Sequence, residues 1–397
     1  MKKKILIISD HAMSTSGVAT QSLHLIDGLI KTKKYEIVQI GAAMYHNDYD
    51  TRFINENFKI IPSNGFGSKP LIRKTLEIEK PDTLIIFSDT RYFDHVFEMA
   101  EEIRKKCPIV YWHVWDNRPT PQFNLEIYNS IDHVACISRL TYQMCKELIP
   151  EKCSYLPHTL PDSIFYQMEK ESIEKCKEKT LGKERKDNFI CLWLNRNIKR
   201  KRPADVLKAW QIFLFNLKEK FGHKNATLIM HTDPYDKAGH NLLKITENLK
   251  ITENVCFSSE ISSYEQINAL HNISDVCLNI AHSEGFGLST LESMQVGTPI
   301  IANLTGGLIN QVIDFNDSTK NGIAIRPKIK SLNGNQNIPY IYEDFVCVEQ
   351  VAKSLMDFYV LPEKVKTELS SKCLNYVKKE FNYENMIKDW DNILENI

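Results

Sequence analysis

Hydrophobic residues in this chain arrive in two rhythms that alternate from one end to the other. Short apolar runs of strand length, such as Ile5-Leu6-Ile7-Ile8, give way to longer stretches whose apolar positions recur at helical spacing. In the first half this predicts strands over 4–9, 35–40, 83–87, 109–113 and 133–138, and helices over 19–30, 70–79 and 93–106. A second series opens with a strand over 189–194. It continues through a helix over 203–218, strands over 226–231 and 254–257, a helix over 264–273, a strand over 275–280, a helix over 288–296 and a strand over 298–304. Runs apolar at consecutive positions are buried on both faces, the mark of parallel strands covered by helices. The alternation predicts a doubly wound α/β fold, and its recurrence predicts two Rossmann-like domains.

Length agrees, since 397 residues suffice for two domains with a core each. The pattern places the first over 1–165 and the second over 188–380, with a lysine- and glutamate-rich linker carrying a solvated helix over 166–187. The stretch 331–342, with Gly334 and three asparagines, reads as an insertion loop. Lysine plus arginine balance aspartate plus glutamate at fifty each, which argues against bulk attraction to nucleic acid or anionic lipid. Every apolar run is too short for a membrane span or signal sequence, so a cytoplasmic protein is expected, with peripheral membrane contact left open. Ten cysteines without a C-x-x-C pair point to buried free thiols rather than zinc or disulfides.

Most of the chemistry lies in Ser283-Glu284-Gly285-Phe286-Gly287-Leu288-Ser289-Thr290-Leu291-Glu292, followed by Gly297 and Pro299, which end the helix. A strand, a glycine-bearing loop and a helix start follow one another here. Glycines admit close backbone approach, and the free N–H groups of a first helical turn attract anions, so the segment reads as a site for a phosphorylated ligand. Two glutamates eight positions apart are common among surface acids. Their place, one in the loop and one on the helix, is what singles them out.

This string resembles the glutamate-x7-glutamate motif of retaining glycosyltransferases of GT-B fold, family 4 (glycosyl transferases group 1). The resemblance implies two Rossmann-like domains facing each other across a cleft, with the donor held mainly by the second and the acceptor by the first. It also implies that Glu292 holds the ribose hydroxyls of a nucleotide-sugar donor, that Glu284 sits beside the transferred sugar, and that the amides of Gly287, Leu288 and Ser289 hold the diphosphate. The likeness extends, unevenly, over nearly the whole chain. Gly17, between the first strand and helix, matches a loop that closes over the donor diphosphate. Leu156 to Phe165 resembles the domain junction in modified form, and 381–397 resembles a last helix that crosses back to the first domain, with Trp390 as a packing anchor.

In Asn195-Arg196-Asn197-Ile198-Lys199-Arg200-Lys201-Arg202-Pro203 the family has an arginine and, five positions later, a lysine, both on the diphosphate. Arg196 and Lys201 match. The family's next glycine is Arg202 here, which leaves Lys199, Arg200 and Arg202 as alternative sources of the second charge. At the end of the strand over 109–113, His113 matches a family histidine near the transferred sugar, and Asp116 is a candidate for orienting the acceptor hydroxyl.

The expected activity is therefore retaining, metal-independent transfer of a sugar from a nucleoside diphosphate to a hydroxyl acceptor, whether glycan, lipid or small molecule, with His113 and Glu284 catalytic and no cofactor beyond the donor. Two alternatives stand beside it. One is a nucleotide-sugar 2-epimerase using the same architecture without an acceptor; the other is a non-enzymatic binder of RNA or lipid headgroups through the basic run. Asp48-Tyr49-Asp50 formally matches the Asp-x-Asp of metal-dependent GT-A enzymes, but its surroundings have a turn's composition and no strong strand precedes it.

Overall fold

The computed structural model describes residues 2–258 and 263–397. The chain divides into two compact units, Met1–Thr159 with Gly334–Ile341 and Asn382–Ile397, and Leu160–Asn333 with Tyr342–Phe381.

The first unit is built on eight strands: β1 (Lys3–Asp10), β2 (Tyr35–Ala42), β3 (Arg52–Asn55), β4 (Phe58–Pro62), β5 (Thr83–Ser88), β6 (Ile109–His113), β7 (His133–Cys136) and β8 (Cys153–Tyr155). Their order is β3-β4-β2-β1-β5-β6-β7-β8, parallel except for β3 against β4. Ile8 lies in register with Ile40 on one side and Ile86 on the other, so consecutive apolar residues of β1 fill a layer on each face of the sheet. The helix Gly17–Lys31 starts where the Ser16 hydroxyl accepts from the Ala19 N–H, and it buries Leu25, Ile26 and Leu29. Against it lies the last helix, Tyr383–Asn396, so close that a Cβ on Gly28 would stand 2.1 Å from Ile387 Cδ1. Trp390 on that helix is fully buried and meets the Trp112 ring edge-on at 5.2 Å.

The second unit holds β9 (Phe189–Leu194), β10 (Ala226–His231), β11 (Val255–Ser258), β12 (Val276–Asn279), β13 (Ile300–Asn303) and β14 (Gly322–Ile325). All six run parallel in the order β11-β10-β9-β12-β13-β14. Strand order reverses between β9 and β12, and the carboxyl ends of the strands at such a switch point are where sheets of this kind take ligands. One layer of core is centred on the helix Pro203–Phe221, whose Val206, Trp210, Phe213 and Leu217 are buried against Cys191, Trp193 and Leu228.

Three of the segments assigned from sequence take another form. The helix expected over 93–106 is broken into Asp94–Phe97 and Ala100–Arg104. The stretch expected to be a linker belongs to the second unit, where Leu181, ending the helix Lys170–Leu181, is buried with Ile190, Leu192 and Ile229. The expected insertion loop is a two-stranded arm, β15 (Ile329–Asn333) with β16 (Ile341–Phe345). Its turn, Gly334–Ile341, is part of the first unit, where Ile338 packs with Trp115 and Met144. Among the described residues no helix is long and apolar enough to cross a membrane.

Candidate functional site

The switch point of the second sheet puts two charged loops side by side. After β9 the chain makes a short 3-10 turn, Lys199–Lys201; after β12 it runs through Ala281 to the helix Leu288–Gln295. The Lys201 ammonium is paired with Glu284 Oε2, and the Arg200 guanidinium lies 3.7 Å from Oε1 while donating to the Ser283 carbonyl. The His282 N–H closes the junction by donating to the Arg200 carbonyl at 3.2 Å. Side chains of Lys201 and Glu284 are only 12% and 9% exposed, so this is a buried ion pair. Burial pushes the Glu284 carboxyl up, but Lys201 and Arg200 more than offset it and hold it below the usual carboxylate range.

Gly287 then turns the loop into the helix with φ of +94°, a left-handed conformation at which a side chain is strained. The Gln311 amide fixes this turn by donating to the carbonyls of Phe286 at 2.8 Å and Gly287 at 3.0 Å. The Gly307 N–H donates to the Glu284 carbonyl at 2.9 Å. No side chain caps the helix start, unlike the Ser16-capped helix of the first unit. Among the described residues the amides of Leu288 and Ser289 have no side-chain cap, and they stand at the positive end of a helix on the loop whose Glu284 holds two cations. A phosphorylated ligand suits that combination.

Glu292, one helical turn further on, is engaged by a neighbour. His271 Nε2 lies 3.0 Å from Glu292 Oε2; a carboxylate only accepts, so the imidazole donates. Among the described residues Oε1 has no hydrogen-bond partner.

Of the residues expected from sequence, Lys201, Glu284, Gly287, Leu288 and Ser289 are gathered here, with Glu292 on the same helix. Arg196 is turned outward, 67% exposed and bonded to Asp236 Oδ2 at 2.7 Å, so the second cation beside Glu284 is Arg200. Arg202 takes the left-handed conformation, φ +54°, for which the resembled family has glycine. Its guanidinium is spent on Asp205 at 2.8 Å, the Val346 carbonyl at 2.7 Å and the Phe345 ring.

Gly17 and His113 lie in the first unit. Gly17 begins a helix at the carboxyl end of β1, and His113 ends β6, fully buried, with Nε2 2.8 Å from the Tyr128 hydroxyl. Its Nδ1 has no partner among the described residues. Asp48 pairs with Arg52 at 3.6 Å and accepts the Asp50 N–H in an exposed turn. Among the described residues no group of three or more His, Cys, Asp or Glu side chains is placed to hold a metal.

Sequence reasoning missed two residues of the site, His271 and Gln311. Both sit on helices whose spacing carries no chemical signature, and only the fold brings them to the motif.

Residues 175–337 match the Glycosyl transferases group 1 family model, so the chain carries a domain of that kind spanning most of the second unit. A trehalose synthase of Pyrococcus horikoshii is 41% identical over 49 residues, which is 12% of this chain and 12% of that protein's length. Solved structures cover far more. The Anabaena protein Alr3699/HepE, in complex with UDP and glucose, matches with a TM-score of 0.71 and 15% identity over 100% of both chains. A sucrose-phosphate synthase of Thermosynechococcus elongatus matches at 0.75 and 14%, over 99% of this chain and 98% of that one. An E. coli trehalose-6-phosphate protein bound with UDP-2-fluoro glucose matches at 0.69 and 12%, over 100% and 99%. The fold is thus that of the GT-B glycosyltransferases, two Rossmann-like domains in one chain.

Proposed function

We propose that this protein is a retaining glycosyltransferase that moves a sugar from a nucleoside diphosphate to a hydroxyl acceptor without a metal ion. The observation that carries the reading is the buried Glu284–Lys201 pair, flanked by Arg200, at the uncapped start of the helix bearing Glu292. Breaking a glycosidic phosphate bond leaves negative charge on the departing diphosphate and positive charge on the sugar. Lys201, Arg200 and the amides of Leu288 and Ser289 are suited to the first charge, and the ionised Glu284 to the second. Ionised side chains and helix amides here take the part that a divalent ion plays elsewhere. Glu292 would accept the ribose hydroxyls through Oε1. By the same resemblance Gly17 is assigned to the diphosphate, and His113, whose buried Nδ1 has no partner among the described residues, to the transferred sugar.

Because two of the structural neighbours were solved with UDP or a UDP-sugar, UDP-glucose heads the donor panel. The test is incubation of UDP-, GDP- and ADP-sugars with hydroxyl acceptors in the presence of chelator, with the product anomer assigned by NMR. Transfer with the donor's anomeric configuration kept supports the reading. Inversion, or activity only after manganese is restored, overturns it, and conversion of the donor alone to an epimerised sugar would assign the cleavage to a different enzyme class.

A further inference from the structure

Glu292 is held by a residue that no motif includes. His271 lies near the end of the helix Tyr264–Asn272, which is fastened at its start by a reciprocal bond between Ser263 and Gln266. Its ring is fully buried, while the Glu292 side chain is 13% exposed. The backbone beneath the ring is pinned as well, since the Thr298 hydroxyl donates to the His271 carbonyl at 2.8 Å. The ring meets Phe165 edge-on, with centroids 6.0 Å apart. Nε2 bears the proton that Glu292 accepts, and Nδ1 has no partner among the described residues, so the hydrogen bond to Glu292 is the one polar use of the ring. The titratable groups nearby do not compete for it. His231, whose imidazole is pushed down by burial, bonds through Nδ1 to the Ser258 hydroxyl at 3.0 Å, and burial pushes the Cys277 thiol up to about 12.

We propose that His271 is the positioning residue of the ribose subsite, holding Glu292 by Oε2 so that Oε1 is presented to the ribose hydroxyls of the donor. The proposal rests on the reading of Glu292 given above. A glutamate has three side-chain torsions, and one left to wander on a helix surface must be ordered when ligand binds; a glutamate already clamped has met that cost in folding. The clamp is aimed at the ribose, so its value appears in recognition of the hydroxyls and not in the chemical step. Removing it should raise the donor KM and leave kcat nearly unchanged, the signature of lost uniform binding.

The experiment is a calorimetric titration of wild type, His271→Phe and His271→Gln with UDP, GDP and ADP, and with the 2′,3′-dideoxy form of whichever binds best. Phenylalanine keeps the ring's volume without a donor; glutamine returns an N–H near the position of Nε2. We expect His271→Phe to weaken the ribonucleotide about fivefold to tenfold, to leave the dideoxy ligand unchanged, and His271→Gln to recover most of the loss. If the phenylalanine variant fails to fold, His271→Asn, whose amide stops short of the carboxylate, serves in its place. An unchanged preference for ribose, or equal weakening of both ligands, overturns the role of His271 alone. Failure of the wild type to bind any of the three diphosphates overturns the functional reading and this proposal with it.

Discussion

Replacing Lys201 with methionine isolates the ion pair on which the site is built. Lys201 and Glu284 side chains are 12% and 9% exposed, so methionine fills the lysine's space while leaving a carboxylate in the interior. Severing a buried pair by removing one partner costs roughly 3–5 kcal/mol. Arg200 stays 3.7 Å from the other oxygen and retains part of the compensation, which puts the loss at the lower end. A loss of about 3 kcal/mol corresponds to a fall in Tm of about 6–12 °C for a domain of this size.

The pH dependence follows from the direction of the Glu284 shift. In the wild type the cations hold its carboxyl below the ordinary value, so its contribution to stability is complete above the unfolded pKa of about 4.3 and is lost as pH falls through the lower folded value. In Lys201→Met the weakened compensation lets burial raise the carboxyl, which takes up a proton on mild acidification. The deficit should therefore be full at pH 7 and shrink toward the ordinary carboxylate pKa. Thermal unfolding of both proteins across that range tests this, with Glu284→Gln/Lys201→Met as a control that removes both charges and regains stability. A variant as stable as wild type at pH 7, or a deficit independent of pH and not relieved by the double substitution, would mean that the pair does not hold a buried charge.

Three further outcomes follow from particular side chains. Gly287→Ala places a Cβ 2.6 Å from Leu308 Cδ2 at φ of +94°, costing about 1–3 kcal/mol; calorimetry should show weaker diphosphate binding together with a lower Tm, and an intact affinity would remove the loop from the anion site. Arg202→Gly relieves the left-handed backbone while losing the bonds to Asp205 and Val346, so turnover should stay within about twofold and stability within about 1 kcal/mol; abolished turnover would return Arg202 to the diphosphate. Burial lowers His24 to about 4 and His158 to about 3, with His24 adding to the second shift, so both fold neutral and charge on unfolding below about 6.5. Stability of the first unit should thus fall by up to about 1.4 kcal/mol per pH unit for each histidine between pH 6.5 and 4, and a double substitution by apolar residues should flatten that slope in denaturant titrations.

Much of this architecture was legible because parallel strands covered on both faces must be continuously apolar. The runs at 5–8 and 189–194 needed no tertiary information to be read as strands. β3 escaped notice since all four of its residues are exposed, which leaves no alternation to detect. The arm formed by β15 and β16 was hidden for a related reason: its residues are at best half-buried, and the asparagines near its turn resemble an unstructured loop. In the site, the Glu284 loop and the helix bearing Glu292 followed from local chemistry, because glycine, helix start and carboxylates are contiguous. Of the two cations expected from spacing, Lys201 lies on Glu284 and Arg196 does not. Arg196 satisfies the spacing yet is neutralised by Asp236, forty positions away in sequence, and nothing in a linear pattern foretells that partner. His271 comes to Glu292 only through the packing of one helix on the next.

The proposed grip of the second unit on a nucleoside diphosphate, through the amides at Leu288 and Ser289 and through Glu292, is open to titration of UDP, GDP and ADP into wild type and Glu292→Ala in the presence of chelator. At least one diphosphate should bind the wild type without metal and bind a folded Glu292→Ala about tenfold or more weaker, as expected for losing charge-assisted hydrogen bonds to ribose. Binding that requires a divalent ion, or an affinity unaltered by the substitution, would contradict it.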